Sequence, residues 1–164
     1  MPYDPLGALR TLQQHGVRFV VIGGVASRLW GSPTMTNDVD ICYGREQSNL
    51  ERLAEALFEL EARLRGVDDD VPFILDAQTL ANGLNFTFMT KDGPVDMLGM
   101  PSGVNGFDEL ITNVVEFDLG DGLVLPVCDL DDLIRMKRAS GRAKDRIELE
   151  VLAAVRDERD RSAL

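Results

Sequence analysis

The sequence predicts an α/β (α+β) chain, and three observations carry the prediction. Apolar spacing alternates between the three-and-four stripe of helices and short β-branched runs typical of strands, in the order α-β-α-β-α, then mostly strands, then a helical C-terminal part. The 164 residues suffice for one domain with a real core and are too few for two comfortable ones. Hydrophobic residues make up 45% and charged residues 27%, the composition of an ordinary folded protein.

Residues 5–15 carry Leu6, Leu9 and Leu12 on one helical stripe that Gly16 ends. Val17 to Ile22 is a buried strand bounded by glycines. Gly23-Gly24 reads as a tight turn into a short helix, Val25 to Trp30, broken by Gly31-Ser32-Pro33. Asp38 to Tyr43 is a strand that Gly44 stops. Leu50, Leu53, Leu57, Leu60 and Leu64 place one helix over 47–64. Asp68-Asp69-Asp70 reads as a solvated turn, and 76–81 as a short helix.

Leu84–Thr90 and Pro94–Leu98 flank Lys91-Asp92-Gly93 as a hairpin. Phe107–Ile111 is helical, and Val114–Phe117 with Leu123–Val127 forms a second hairpin around Gly120-Asp121-Gly122. Asp129 caps a helix running to about Ala139, with Asp132 assisting, and Ser140-Gly141 ends it. A last helix from Arg142 to about Asp157 turns Ile147, Val151, Leu152 and Val155 to one side. The expected division is a core over 1–127 and a C-terminal helical portion over 128–164 packed on it.

A formal net charge of −11 disfavours membrane surfaces and sequence-independent coating of nucleic acid. The N-terminus has no signal-peptide pattern, and no apolar run is long enough to span a bilayer. Cys42 and Cys128 form no disulfide framework, so a cytoplasmic location is expected. His15 is read as an exposed helix-end residue.

Three acids interrupt apolar strands. Residues two apart on a strand share a face, so Asp38 and Asp40 project together while Val39 and Ile41 turn to the core. Two such acids are either solvated or joined by a cation, and hard oxygen ligands suit Mg²⁺ or Mn²⁺. Asp is uncommon in strands, so a pair in phase needs a reason. Asp96 in Pro94–Leu98 is either an acid at a sheet edge or, if its strand lies beside the first, a third ligand. Two metals about 4 Å apart held by such acids can activate a hydroxyl and stabilise leaving pyrophosphate. Gly23 and Gly24 would let backbone approach phosphates beside a helix N-terminus. Six basic residues fall between 135 and 146; most are explained as a solvated face balanced by Asp131, Asp132 and Asp145. Lys137 lies beside Leu133, Ile134 and Met136, and a partly buried lysine there could hold a triphosphate.

Gly23-Gly24, Asp38-Val39-Asp40 and Asp96 together resemble the signature of the DNA polymerase-β-like nucleotidyltransferase superfamily. More narrowly, IGGVASRLWGSPTMTNDVDI and LDDLIRMKRASGRAKDRIELEVL look like the AbiEii-type nucleotidyltransferases, which include toxins of bacterial toxin–antitoxin pairs. The resemblance spans residues 17–155. It departs at Ser27, one place later than the family's glycine-turn serine, and at Thr34, where relatives often carry arginine.

The resemblance implies a central mixed sheet with flanking helices and C-terminal helices, and in-line attack of an acceptor hydroxyl on the α-phosphate of an NTP. Asp38 and Asp40 would hold Mg²⁺ or Mn²⁺. Asp96 would hold one metal and help deprotonate the hydroxyl. Gly23, Gly24 and Ser27 would cradle phosphates, Lys137 would neutralise developing charge, and Asp145 would complete the site. The implied acceptor is a tRNA or other RNA 3′ end, with a cognate antitoxin as partner and a minimal or absent acceptor-binding domain. Transfer to a protein side chain or small molecule is the alternative, and an NTP-binding module without catalysis is a third reading.

Overall fold

The computed structural model describes residues 3–163, apart from the side chain of Lys144. Its centre is one mixed seven-stranded sheet in the order β3 (Arg63–Leu64), β4 (Asn85–Thr90), β5 (Gly93–Leu98), β2 (Val39–Tyr43), β1 (Phe19–Ile22), β7 (Val124–Val127), β6 (Val115–Asp118), with helices on it and a helical C-terminal end. This is the predicted α/β class.

α1 (Pro5–Gln14) starts where Asp4 caps the Gly7 N–H, and it buries Leu9 and Leu12. β1 (Phe19–Ile22) is buried at every position. α2 (Gly23–Leu29) follows with no loop, so the two glycines are the first turn of the helix. Beyond it, the Trp30 indole N–H donates to the Cys128 carbonyl at 2.9 Å and its ring meets Phe117 edge-on. β2 (Val39–Tyr43) lies antiparallel to β1, which brings the end of β1 beside the start of β2, with Ile22 opposite Asp40.

α3 (Gln47–Glu59) is shorter than its leucine stripe suggests. Leu60 closes it, Glu61 takes a left-handed φ of 54°, and Arg63–Leu64 becomes the short strand β3. Leu64 keeps its inward place by pairing opposite Phe88 rather than by continuing the helix. Asp68-Asp69-Asp70 is an exposed turn, and α4 (Ala77–Asn82) is capped by Asp76.

β4 (Asn85–Thr90) and β5 (Gly93–Leu98) form the expected hairpin. β5 lies parallel to β2, pairing Asp40 with Asp96. α5 (Phe107–Leu110) leads into β6 (Val115–Asp118) and β7 (Val124–Val127), a hairpin that joins the sheet through β7 alongside β1. α6 (Leu130–Ser140) has Asp129 as N-cap and a left-handed Gly141 after it. Asp132 does not assist the cap; its carboxylate meets Arg135 and Asn113.

α7 (Ala143–Ser162) packs on α6 and buries Leu152 of the expected face, with Val155 half-buried against the core, but not Ile147. Ile147 is 70% exposed, whereas Asp145, Glu148 and Leu152 are buried. The helix is turned so that charged side chains, not Ile147, meet α6, and their partner there is Lys137. Among the described residues no helix is long and apolar enough to cross a membrane.

Candidate active site

The three acids meet. One carboxylate oxygen from each of Asp38, Asp40 and Asp96 lies within 4.8 Å of the other two. The β2–β5 register decides this, because cross-strand partners share a face. Val39 and Val95 turn to the opposite face and are fully buried. Asp38, just before β2, is held by Thr36, whose hydroxyl lies 3.1 Å from the Asp38 carbonyl and 3.3 Å from Oδ1.

Burial, then the charges of Asp38 and Asp96, pushes the Asp40 carboxyl up to about 7, against a backbone hydrogen bond from Gly24. Burial also raises Asp96, and Asp38 adds to it. The Arg65 guanidinium, at 2.5 Å from Asp96 Oδ1, opposes this without cancelling it. Three carboxylates held this close cannot all ionise cheaply unless a cation joins them. The donors are hard oxygens without sulfur or imidazole, which fits Mg²⁺ or Mn²⁺.

The acids line a cavity of about 520 Å³, the size of a small-molecule site. Gly23, Gly24, Thr36 and the 34–37 loop form one wall, Thr87 and Leu98 part of the sheet wall, and Met136, Lys137, Asp145 and Glu148 the wall from α6 and α7. The glycines have a steric reason to be there. A Cβ on Gly23 would lie 2.2 Å from Asp40 Oδ2, and one on Gly24 would lie 2.6 Å from Thr36 Oγ1. Gly23 also has a φ of +66°.

Lys137 points inward, as its place among apolar neighbours predicts, and is 6% exposed. It is already paired: its Nζ lies 2.6 Å from Glu148 Oε2 and 3.6 Å from Asp145 Oδ1. Neither oxygen receives a well-aligned hydrogen bond, so this is a contact of charges. Burial pushes the Asp145 carboxyl up. Hydrogen bonds from Ser140 and Arg142 and the charge of Lys137 outweigh burial and hold it below its usual range.

Ser27 is not brought to the cavity. It is buried, and its hydroxyl donates to the Gly23 carbonyl inside α2 at 3.1 Å. Three members of the basic run are drawn into ion pairs: Arg135 with Glu109 and Asp132, Lys137 with Glu148, and Arg142 with Asp145. The side chain of Lys144 lies outside the described residues. Sequence reasoning missed Arg65 and Glu148. Glu148 was legible as a residue one turn beyond Asp145. Arg65 had no signal, since its place depends on a two-residue strand.

No family model matches the chain, and no curated protein matches it. Among solved structures it is similar to a candidate nucleotidyltransferase from Thermotoga maritima, with 16% identity over 90% of this chain and 89% of that one, at a TM-score of 0.55. The chain has the nucleotidyltransferase fold. The antibiotic-resistance factor ANT(2'')-Ia aligns over 96% of this chain and 94% of that one at 15% identity, but its TM-score of 0.48 carries no argument.

Proposed function

We propose that this protein is a metal-dependent nucleotidyltransferase that moves a nucleoside monophosphate from an NTP to an acceptor hydroxyl. One observation carries the reading: the convergence of Asp38, Asp40 and Asp96 on one face of the sheet, beside the glycine start of α2. Bound there, Mg²⁺ or Mn²⁺ would supply charge neutralisation and activation of the attacking oxygen.

The chain's own groups then have distinct tasks. Asp38, Asp40 and Asp96 would be the ligands, and Asp96 would also help deprotonate the acceptor hydroxyl. Gly23 and Gly24 leave room for phosphate oxygens near the backbone at the start of α2. Lys137 faces the cavity from α6 and would counter the charge of the departing pyrophosphate once its balance with Glu148 and Asp145 shifts. Ser27 has no phosphate role in this scheme, because its hydroxyl is turned into α2. Residues 1–127 would be the catalytic core and 128–164 the helical portion that closes the cavity over it. The two buried thiols suit a cytoplasmic setting.

The acceptor reading that follows from the AbiEii-type resemblance is a tRNA or other RNA 3′ end, with toxin action and an antitoxin partner. A protein or small-molecule acceptor is favoured by one observation, that three cations of the basic run are spent in internal ion pairs. Each labelled NTP is incubated with Mg²⁺, total RNA and protein extract, using the wild-type protein and Asp40→Ala. Label is expected in one pool, and only with the wild type. Label in RNA supports the toxin reading, and label in protein or solute the alternative. Equal labelling by both proteins contradicts the proposal.

A further inference from the structure

Arg65 is a charged group at the site that the scheme above leaves without a task. It follows β3, and its backbone N–H donates to the Thr87 carbonyl at 2.9 Å. Leu64 stands opposite Phe88, so Arg65 falls in the row of Thr87. Thr87 stands opposite Asp96, and Asp96 opposite Asp40. Side chains in one cross-strand row leave the sheet from the same face. Arg65, Thr87, Asp96 and Asp40 therefore form one polar row. The neighbouring row, Leu64, Phe88, Val95 and Val39, turns to the other face, where its three strand-centre members are fully buried. Thr87 is short enough for the guanidinium to pass over it and place Nη2 2.5 Å from Asp96 Oδ1.

Two acids of the triad thus have an orienting side chain: Asp38 has the Thr36 hydroxyl and Asp96 has Arg65. With Oδ1 tied to Arg65, the Asp96 carboxylate has one oxygen left to turn toward Asp38 and Asp40. The Asp96 side chain is 17% exposed and that of Arg65 32% exposed, so the contact is largely shielded from water. Partners of this kind fix ligand orientation, and their loss commonly weakens metal binding about 10- to 100-fold.

We infer that Arg65 is a positioning residue that holds the Asp96 carboxylate in the orientation a divalent cation shared with Asp38 and Asp40 requires. The inference rests on the metal reading above, and its test separates the two. Mn²⁺ binding to the full chain, without nucleotide, is followed by loss of the free Mn²⁺ resonance. Wild type, Arg65→Leu, Arg65→Gln, Arg65→Lys and Asp40→Asn are compared, each checked for folding by its melting curve in EDTA. Wild type is expected to bind and Asp40→Asn to lose binding. Both neutral variants at 65 are expected to bind about 10-fold or more weakly, and Arg65→Lys, which returns a cationic donor, to recover most of the loss. Wild-type or tighter binding by the neutral variants overturns the inference and leaves the metal reading standing, since Arg65 would then merely compete with the cation. A lysine variant no better than the neutral ones overturns it too. A wild type as blind to Mn²⁺ as Asp40→Asn overturns both. If Arg65→Leu does not fold, Arg65→Gln carries the comparison alone.

Discussion

Asp40 concentrates the conflict of the site in one side chain. Burial and two neighbouring carboxylates push it up to about 7, well above the range of an unfolded aspartate near 4. A folded-state pKa raised in this way means that the native state holds a proton that the unfolded chain releases. Without metal, the contribution of Asp40 is therefore most favourable below about pH 4, is lost as pH rises through about 7, and stays flat above. Asp40→Asn removes that dependence. In EDTA the variant should match the wild type near pH 4 and exceed it by on the order of 2 kcal/mol at pH 8, while losing nucleotidyl transfer. Chemical denaturation across this pH range measures it. A wild-type advantage at pH 8 would show that the cluster is already balanced without a cation.

At the scale of elements, the turnless passage from β1 into α2 sets the distance between the glycine wall of the cavity and the acids. Gly23 occupies the one position where the chain leaves the strand with a positive φ and brushes Asp40. Gly23→Ala should cost about 2 kcal/mol from backbone strain. It should also displace Asp40, because the added methyl would stand 2.2 Å from Oδ2. Melting curves and Mn²⁺ titration together check this. A loss of stability with unchanged Mn²⁺ affinity would mean that Asp40 can move aside. Legibility divides at this scale as well. The leucine stripe from Leu50 to Leu60 marked α3 correctly, but Leu64 was assigned to the same helix because a spacing of four fits either a further turn or a new strand. Ile147 fitted an apolar stripe and is nonetheless exposed, since α7 buries Asp145 and Glu148 against Lys137 on α6 alongside Leu152 of that stripe.

Across the whole molecule, α6 and α7 are joined to each other and to the cavity by a buried charge cluster. Lys137, Asp145 and Glu148 are each at most 6% exposed. Breaking one member strands the others, which typically costs about 3–5 kcal/mol, whereas removing a matched pair is far milder. Lys137→Met should therefore destabilise strongly and abolish transfer. Lys137→Met combined with Glu148→Leu should regain most of the stability and none of the activity. Asp145 tolerates the double change because Ser140 and Arg142 still bond to it. Urea unfolding of the two variants decides the point: equal instability would deny that Glu148 is the counter-charge of Lys137.

Local pattern determined what most segments are, β3 excepted, and which face the strand acids take, because helical and strand periodicities are properties of neighbours in the chain. It placed Asp38 and Asp40 together on one strand face, made Asp96 the lone acid of another strand, and turned Lys137 inward. Contacts between distant segments needed the fold. Only pairing of β5 with β2 could set Asp96 beside Asp40 rather than at an edge. Only the register of the short β3 could bring Arg65 over Thr87, and only the docking of α7 could turn Asp145 and Glu148 toward Lys137. Register and docking angle are chosen by the summed burial of many residues, so no single residue announces them.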